Sequence, residues 1–307
     1  MVHIRDIQIQ QSESTIVAIG NFDGMHKGHA VLINRAVSKA KEIGVKSVVL
    51  TFSPHPRLVI KGENMPHIFT SNEKEKVVSE MGVDIFVEYP FTKEFANLSA
   101  TYFIEEIIFK KLKAKAIVLG ENYRFGKDGD GDVNLIKSFS LQNNIQVFVE
   151  RLLKEEKEVI NSTRIRRAIL EGNIKLANAM LGRSYFIQGT VLSGENLGSL
   201  IGFPTANVIP HPTKIIPKNG VYVTTTNING EGNLPSITNV GIRPTFNGKS
   251  VTIETHLLDF KEDIYNKKIG VNFLERIRDE KKFEAVGELV AQIGADVAVA
   301  KKWHGVF

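Results

Sequence analysis

Thr15-Ile16-Val17-Ala18-Ile19-Gly20-Asn21-Phe22-Asp23-Gly24-Met25-His26-Lys27-Gly28-His29 is the stretch that decides the fold of the first half. The unbroken apolar run up to Ile19 reads as a strand buried on both faces. Ala30–Val37 reads as a helix, so Gly20–His29 is a strand-to-helix turn. Open α/β sheets hold ligands at such turns, and the free N–H groups opening the helix attract phosphate.

Working outward, strands are expected at Ser47–Phe52, Ile85–Tyr89, Ala116–Leu119 and Ile145–Val149. Helical spacing lies between them, at Val31–Ile43 and Tyr102–Leu112. Short strands alternating with helices predict an α/β unit with a doubly wound parallel sheet. Ser162–Gly172 and Ile174–Leu181 read as a helical pair closing it. After Gly182 the chain turns β-rich, at Tyr185–Leu192, Gly220–Ile228, Ser250–Phe260 and Lys268–Ile277. Gly, Pro and Asn turns separate these segments, which predicts a β-barrel or sandwich. A helix is expected over Lys281–Ile293, with Phe283, Val286, Leu289, Val290 and Ile293 on one stripe. The boundary is drawn near Gly182–Ser184, giving domains 1–183 and 184–307.

A chain of 307 residues fits this two-domain layout. No apolar run approaches the roughly 20 residues needed to cross a bilayer. Met1–Asp6 lacks the basic-then-apolar layout of a signal peptide, and the chain has no cysteine, so a cytoplasmic location is expected. The absence of cysteine excludes disulfides and thiolate chemistry. The net charge of +5 is spread along the chain, and clusters such as Lys110-Lys111-Leu112-Lys113 read as solvated helix faces. Small anionic ligands are expected as partners, with no nucleic acid and no membrane, and the chain is expected to be a monomer or a transient homo-oligomer.

In His26-x-Gly28-His29 the glycine allows close backbone approach to a phosphate. Imidazoles there can donate to non-bridging oxygens as charge develops during phosphoryl or nucleotidyl transfer. Two histidines three residues apart also suit a metal, and His29 also suits a helix cap. Asn161-Ser162-Thr163-Arg164-Ile165-Arg166-Arg167 sets Ser and Thr at a helix N-cap before a basic first turn, an anion-binding end or simply a capped helix. Gly120–Lys127 leaves one strand end as a binding loop, and Phe52-Ser53-Pro54-His55-Pro56 leaves another as a loop stiffened by proline.

In the second half, Gly202-Phe203-Pro204-Thr205-Ala206-Asn207 lies between β-rich segments. If extended, it turns Thr205 and Asn207 to one side, where both offer oxygens to one Mg²⁺. Val251–Leu257 alternates, with Glu254 and His256 opposite Val251, Ile253 and Leu257. Glu254 there is either a general base or part of a wet strand face.

The ordered set GNFDGMHKGH, FSPHP, GENYRFG and NSTRIRR resembles the adenylyltransferase module of prokaryotic bifunctional riboflavin kinase/FMN adenylyltransferases (FAD synthetases). GFPTAN, GVY, NVGIRPTF, IETHLLDF, DIY and RDEKKF resemble the riboflavin kinase module of the same family. The resemblance implies a Rossmann-like nucleotidyltransferase domain followed by a six-stranded antiparallel β-barrel with a helix. It implies transfer of AMP from ATP to FMN, giving FAD and pyrophosphate, and phosphorylation of riboflavin by ATP, with Mg²⁺ or another divalent cation.

Residue by residue, His26 and His29 would stabilise the α-phosphate. Asn21, Phe22, Asp23, Gly24, Gly28, Ser162, Thr163 and Arg166 would form the ATP site. Pro54, His55, Pro56, Asn122 and Phe125 would belong to flavin and ligand loops, with Asn122 near metal. In the barrel, Gly202, Pro204, Thr205 and Asn207 would serve ATP and metal, Glu254 would be the base, and Arg278 would lie on the flavin side. Two positions depart from the family pattern. Asn161 stands where a small hydroxyl residue is common. Ser199 stands where arginine usually follows the glycine, which removes a possible phosphate contact. That second departure leaves open an adenylyltransferase whose barrel is impaired as a kinase. A flavin-sensing regulatory protein is the remaining, remote alternative.

Overall fold

The computed structural model describes residues 1–6, 11–192, 197–245 and 248–306, except the side chains at 197, 199, 243–245 and 248–250. It divides into two compact units, Met1–Ser162 and Thr163–Phe307.

The first unit is built on strands β1 (Val2–Ile4), β2 (Thr15–Ile19), β3 (Lys46–Ser53), β4 (Ile85–Pro90), β5 (Ala114–Gly120) and β6 (Gln146–Glu150). They pair in parallel in the order β1-β4-β3-β2-β5-β6. All five residues of β2 are buried, as its apolar run predicts. Chain order reverses around β2, which pairs with β3 on one side and β5 on the other. The crevice beyond its carboxyl end is therefore the topological switch point. The helix Lys27–Ile43 follows, packs Leu32, Ile33, Ala36, Val37 and Ala40 inward, and stops at the left-handed Gly44. Residues Phe103–Lys111, expected as an α-helix, form a π-helix. The edge strand β1, too short to show a period, was not expected.

Glu88 on β4 gathers the charges at this sheet edge. Its carboxylate accepts from the Ser71 hydroxyl, lies 3.3 Å from the Lys74 ammonium and accepts from Arg5 Nε at 3.2 Å. Burial alone would raise its pKa, but Lys74, Ser71 and His3 together hold it below the ordinary value of 4.5.

The helix Ser162–Glu171 starts at the last residue of the first unit and runs into the second, where the helix Ile174–Leu181 follows. The barrel of the second unit comprises β9 (Tyr185–Leu192), β10 (Ala206–Pro210), β11 (Gly220–Ile228), β12 (Glu231–Thr245), β13 (Gly248–Leu257) and β14 (Lys268–Arg278). A two-residue hairpin, β7 (Lys154–Glu155) and β8 (Glu158–Val159), precedes it in the first unit. The barrel closes in the order β10-β13-β12-β11-β14-β9, every pair antiparallel. Its interior combines Tyr185, Tyr222, Val271 and Phe273 with a buried row of hydroxyls. The row runs Thr226–Ser236–Thr224–Thr238–Thr255, linked at 2.8–3.0 Å. Each hydroxyl thus replaces water with a neighbour.

The last helix runs Val286–His304, not Lys281–Ile293. Phe283 precedes it and Val286 is exposed, because the stripe that packs continues through Val297 and Ala300 onto the outer barrel face at Val221, Val223 and Ile237.

Glu88→Ala should destabilise the chain by about 3–5 kcal/mol at pH 7, because Lys74 is left buried and unpaired. The depressed pKa makes this contribution present above the unfolded carboxylate value and lost as pH falls through the folded one. Urea unfolding at descending pH should show the wild-type advantage shrinking.

Candidate active sites

Loops from three adjacent strands meet at the switch point: Gly20–His26 after β2, Pro54–Pro56 after β3 and Glu121–Phe125 after β5. The first of them is tightly folded. Phe22, Gly24 and Met25 have φ of 45°, 82° and 44°. Left-handed backbone at the two non-glycine positions costs of order 1–3 kcal/mol each. It is held by burial of both side chains and by two anchors on backbone carbonyls. Thr51 Oγ1 donates to the Asn21 carbonyl at 2.9 Å, and Ser162 Oγ donates to that of Asp23 at 2.8 Å. The Asp23 carboxylate turns inward and accepts from the Ile68 N–H at 3.4 Å. Phe22 and Asp23 therefore shape the loop from beneath.

His26 caps the helix Lys27–Ile43, its Nδ1 accepting the His29 N–H at 3.3 Å. That bond leaves the proton of the neutral ring on Nε2. The two imidazoles stack with centroids 3.6 Å apart, and the Phe22 ring meets His29 edge-on at 5.1 Å. A Cβ on Gly28 would lie 3.2 Å from the His26 ring, close enough to press it aside by a few tenths of an ångström. Burial drives the His26 pKa down to about 4, against the opposing pull of Asp23. Burial, and then His26, holds His29 well below its ordinary 6.5. Both rings are neutral at pH 7, and His29 Nδ1 is buried without a partner among the described residues.

The other loops are less enclosed. Asn122 is exposed, whereas Phe125 is buried against Phe103 and stacks on Tyr123 at 5.8 Å. His55 Nδ1 accepts from the Arg57 N–H at 3.2 Å, capping the short helix Pro56–Lys61. Ser162 itself opens the next helix, so its hydroxyl anchors Asp23 where capping of that helix was expected. Thr163 is exposed and Arg166 half-buried on the same first turns.

The barrel carries a cavity of about 260 Å³ between its outer face and the C-terminal helix. Thr205, Asn207, Glu254 and Arg278 all line it, together with Asn239, Leu289 and Ile293. The expected alternation holds from Ile253 to Leu257: Glu254 and His256 face this side, while Ile253 and Leu257 are buried on the other; Val251, expected with them, is exposed. His256 Nδ1 donates to the Pro204 carbonyl at 2.7 Å, fixing the loop that carries Thr205. Gly202 sits at φ 86° just before it. Thr205 also lines a second cavity, with Pro204, Lys261 and Tyr265. Arg278 is locked to the buried Asp296 of the helix, Nε and Nη2 donating at 2.6–3.0 Å. The Ser199 side chain lies outside the described residues.

Residues 8–164 match the family model described as FAD synthetase, and residues 181–304 match that described as riboflavin kinase. A bifunctional riboflavin kinase/FMN adenylyltransferase of Escherichia coli is 34% identical over 304 residues, covering 99% of this chain and 97% of that one. Its counterpart in Bacillus subtilis is also 34% identical, covering 96% of this chain and 94% of that one. This chain belongs to the bifunctional riboflavin kinase/FMN adenylyltransferase family. A solved structure from Streptococcus pneumoniae, described as a macrolide-efflux protein, has the same fold, with a TM-score of 0.89 and 33% identity. It covers 99% of this chain and 100% of that one. Among the described residues, no helix here is long and apolar enough to cross a membrane.

As a member of this family the chain is an enzyme with both activities. It transfers AMP from ATP to FMN, and it phosphorylates riboflavin. The barrel matches the kinase family despite Ser199. Asn239 entered the reading of the sequence only as the first residue of the motif NVGIRPTF, with no role of its own, and Asp296 did not enter at all, because a lone carboxylate carries no spacing signal. Thr51, hidden in an apolar strand, escaped it too.

In the ligand-free enzyme the His26 ring should titrate near pH 4 and remain neutral at pH 7, since burial penalises the imidazolium. Ring-proton NMR across an acid titration checks this. Gly28→Ala should push the His26 ring aside and lower AMP transfer by about tenfold or more.

Proposed function

We propose that AMP transfer is carried by His26 and His29, and riboflavin phosphorylation by Glu254, at two separate centres. What supports the first assignment is the stacked pair of neutral imidazoles, His26 buried and His29 half-buried, at a helix N-terminus on the switch point. An FMN phosphate oxygen attacks the α-phosphorus of ATP and pyrophosphate departs. The imidazole N–H groups meet the growing negative charge on the non-bridging oxygens. The N–H groups of the first helical turn at Ser162 and Thr163, with Arg166, hold the departing phosphates. Asn21, Gly24 and Gly28 provide backbone close to the nucleotide, over the support of Phe22 and Asp23. Pro54, His55 and Pro56 border the flavin, with Asn122 as the exposed amide and Phe125 as the wall behind it. The modules are taken as residues 1–183 and 184–307.

In the barrel, the terminal ribityl hydroxyl attacks the γ-phosphorus of ATP, its proton passing to Glu254, and ADP leaves. The polyol lies toward Asn207 and Glu254, and the flavin ring toward Val221, Leu289, Ile293 and the held Arg278. ATP occupies the second cavity, so Thr205, which lines both, stands where phosphate and hydroxyl meet. Pro204 and Gly202 shape that loop. No group of three His, Cys, Asp or Glu able to hold a metal occurs among the described residues. The donors here are instead the hard oxygens of Thr205 and Asn207. A Cβ on Gly198 would come within 3.2 Å of the Thr205 hydroxyl, so that glycine keeps space open beside it. This donor set suits Mg²⁺, which is commonly held by few protein oxygens together with substrate phosphates. When bound, the cation neutralises charge on the transferring phosphoryl group. In the other module Asn122 offers an amide oxygen for the same purpose. Both reactions use small cytoplasmic substrates, in keeping with a chain free of cysteine.

His29→Ala should reduce FAD formation from FMN by about 100-fold or more while FMN formation from riboflavin persists. Glu254→Gln should do the reverse, by about 100- to 10,000-fold. Chromatography of the flavins formed with ATP and Mg²⁺ separates the two outcomes. Retention of the targeted reaction in either variant removes that residue from its role.

A further inference from the structure

Residues of five neighbouring strands form one row across the outer barrel face. Asn207 pairs with Glu254, Glu254 with Asn239, Asn239 with Val221, and Val221 with Arg278. All of them line the same cavity. Adjacent strands lie about 4.8 Å apart, so the row extends roughly 14 Å from Glu254 to Arg278. Asn239 is the polar member between the carboxylate at one end and the apolar wall that begins at Val221.

The charged groups around this cavity are already engaged. Arg278 holds Asp296, Lys281 reaches Gln292 at 3.3 Å, and Glu280 accepts from Asn219 at 3.1 Å. Asn239 differs: no described residue hydrogen-bonds its carboxamide, although the side chain is half-buried in the cavity wall. A carboxamide both donates and accepts, as does each hydroxyl of a polyol. One strand spacing separates Asn239 from Glu254, a distance of about 5 Å, which reaches beyond the reacting hydroxyl to those further along the chain.

We propose that Asn239 is a specificity-determining residue that hydrogen-bonds the inner ribityl hydroxyls of riboflavin. It reads the polyol between the reacting end and the ring. This rests on the assignment of the cavity to riboflavin and of Glu254 as base. A site built to bond a hydroxyl loses most when either partner is left unpaired.

The test uses full-length Asn239→Leu and Asn239→Ala. Binding of riboflavin and of lumiflavin, which has a methyl group in place of the ribityl chain, is followed by flavin fluorescence beside kinase kinetics. Riboflavin affinity should weaken and its KM rise by about 10- to 100-fold. Lumiflavin affinity, the KM for ATP and FAD formation from FMN should stay within about twofold. Parallel weakening of riboflavin and lumiflavin in both variants would overturn the proposal, since Asn239 would then only shape the cavity. Unchanged riboflavin affinity would overturn it as well. Glu254→Gln, assayed alongside, separates the two levels. Phosphorylation surviving in that variant defeats the underlying assignment, whereas its loss together with unaltered Asn239 variants defeats the Asn239 role alone.

Discussion

Backbone pairing between strands is the constraint on which both centres depend. In the first unit, parallel pairing of β2 with β3 and β5 aligns three carboxyl ends, so loops distant in sequence emerge side by side. In the second, antiparallel register sets Asn207, Glu254, Asn239, Val221 and Arg278 across successive strands. Since side chains alternate with a period of two, a slip of one residue would turn Glu254 into the barrel interior. The buried hydroxyl row from Thr226 to Thr255 opposes such a slip, because it would then lose its partners.

The two centres use burial differently. At His26 and His29 burial keeps the rings uncharged, so they offer donors without attracting a fixed counterion. In the proposed reaction an incoming phosphate would supply the negative charge they lack. The barrel cavity instead keeps its charges paired. Arg278 is committed to Asp296, which ties the end of β14 to the C-terminal helix and holds one wall in place. Neutral amides and a hydroxyl are left to line the cavity.

Much of this architecture was legible from residue order. The apolar run at Thr15–Ile19, the glycine-bearing turn and the alternation at Ile253–Leu257 identify buried strands and their more exposed neighbours through periodicity. The C-terminal helix was less legible. Its true start at Val286 depends on which apolar residues meet the barrel, and Phe283 satisfies helical spacing without being helical. The nine-residue π-helix at Phe103 was likewise hidden, since π- and α-helices bury similar stripes.

The sequence by itself determined the change from alternating strands and helices to a β-rich second half, the absence of thiol chemistry and the glycine–histidine turn that points to phosphate. Those follow from local spacing and composition, whereas flavin entered through the resemblance to the family. Only the tertiary structure decided that Phe22 and Asp23 support their loop from beneath, that Ser162 anchors the Asp23 carbonyl, and that Asn239 stands beside Glu254. Each of these depends on atoms brought together from distant parts of the chain by strand pairing and burial, which no local pattern encodes.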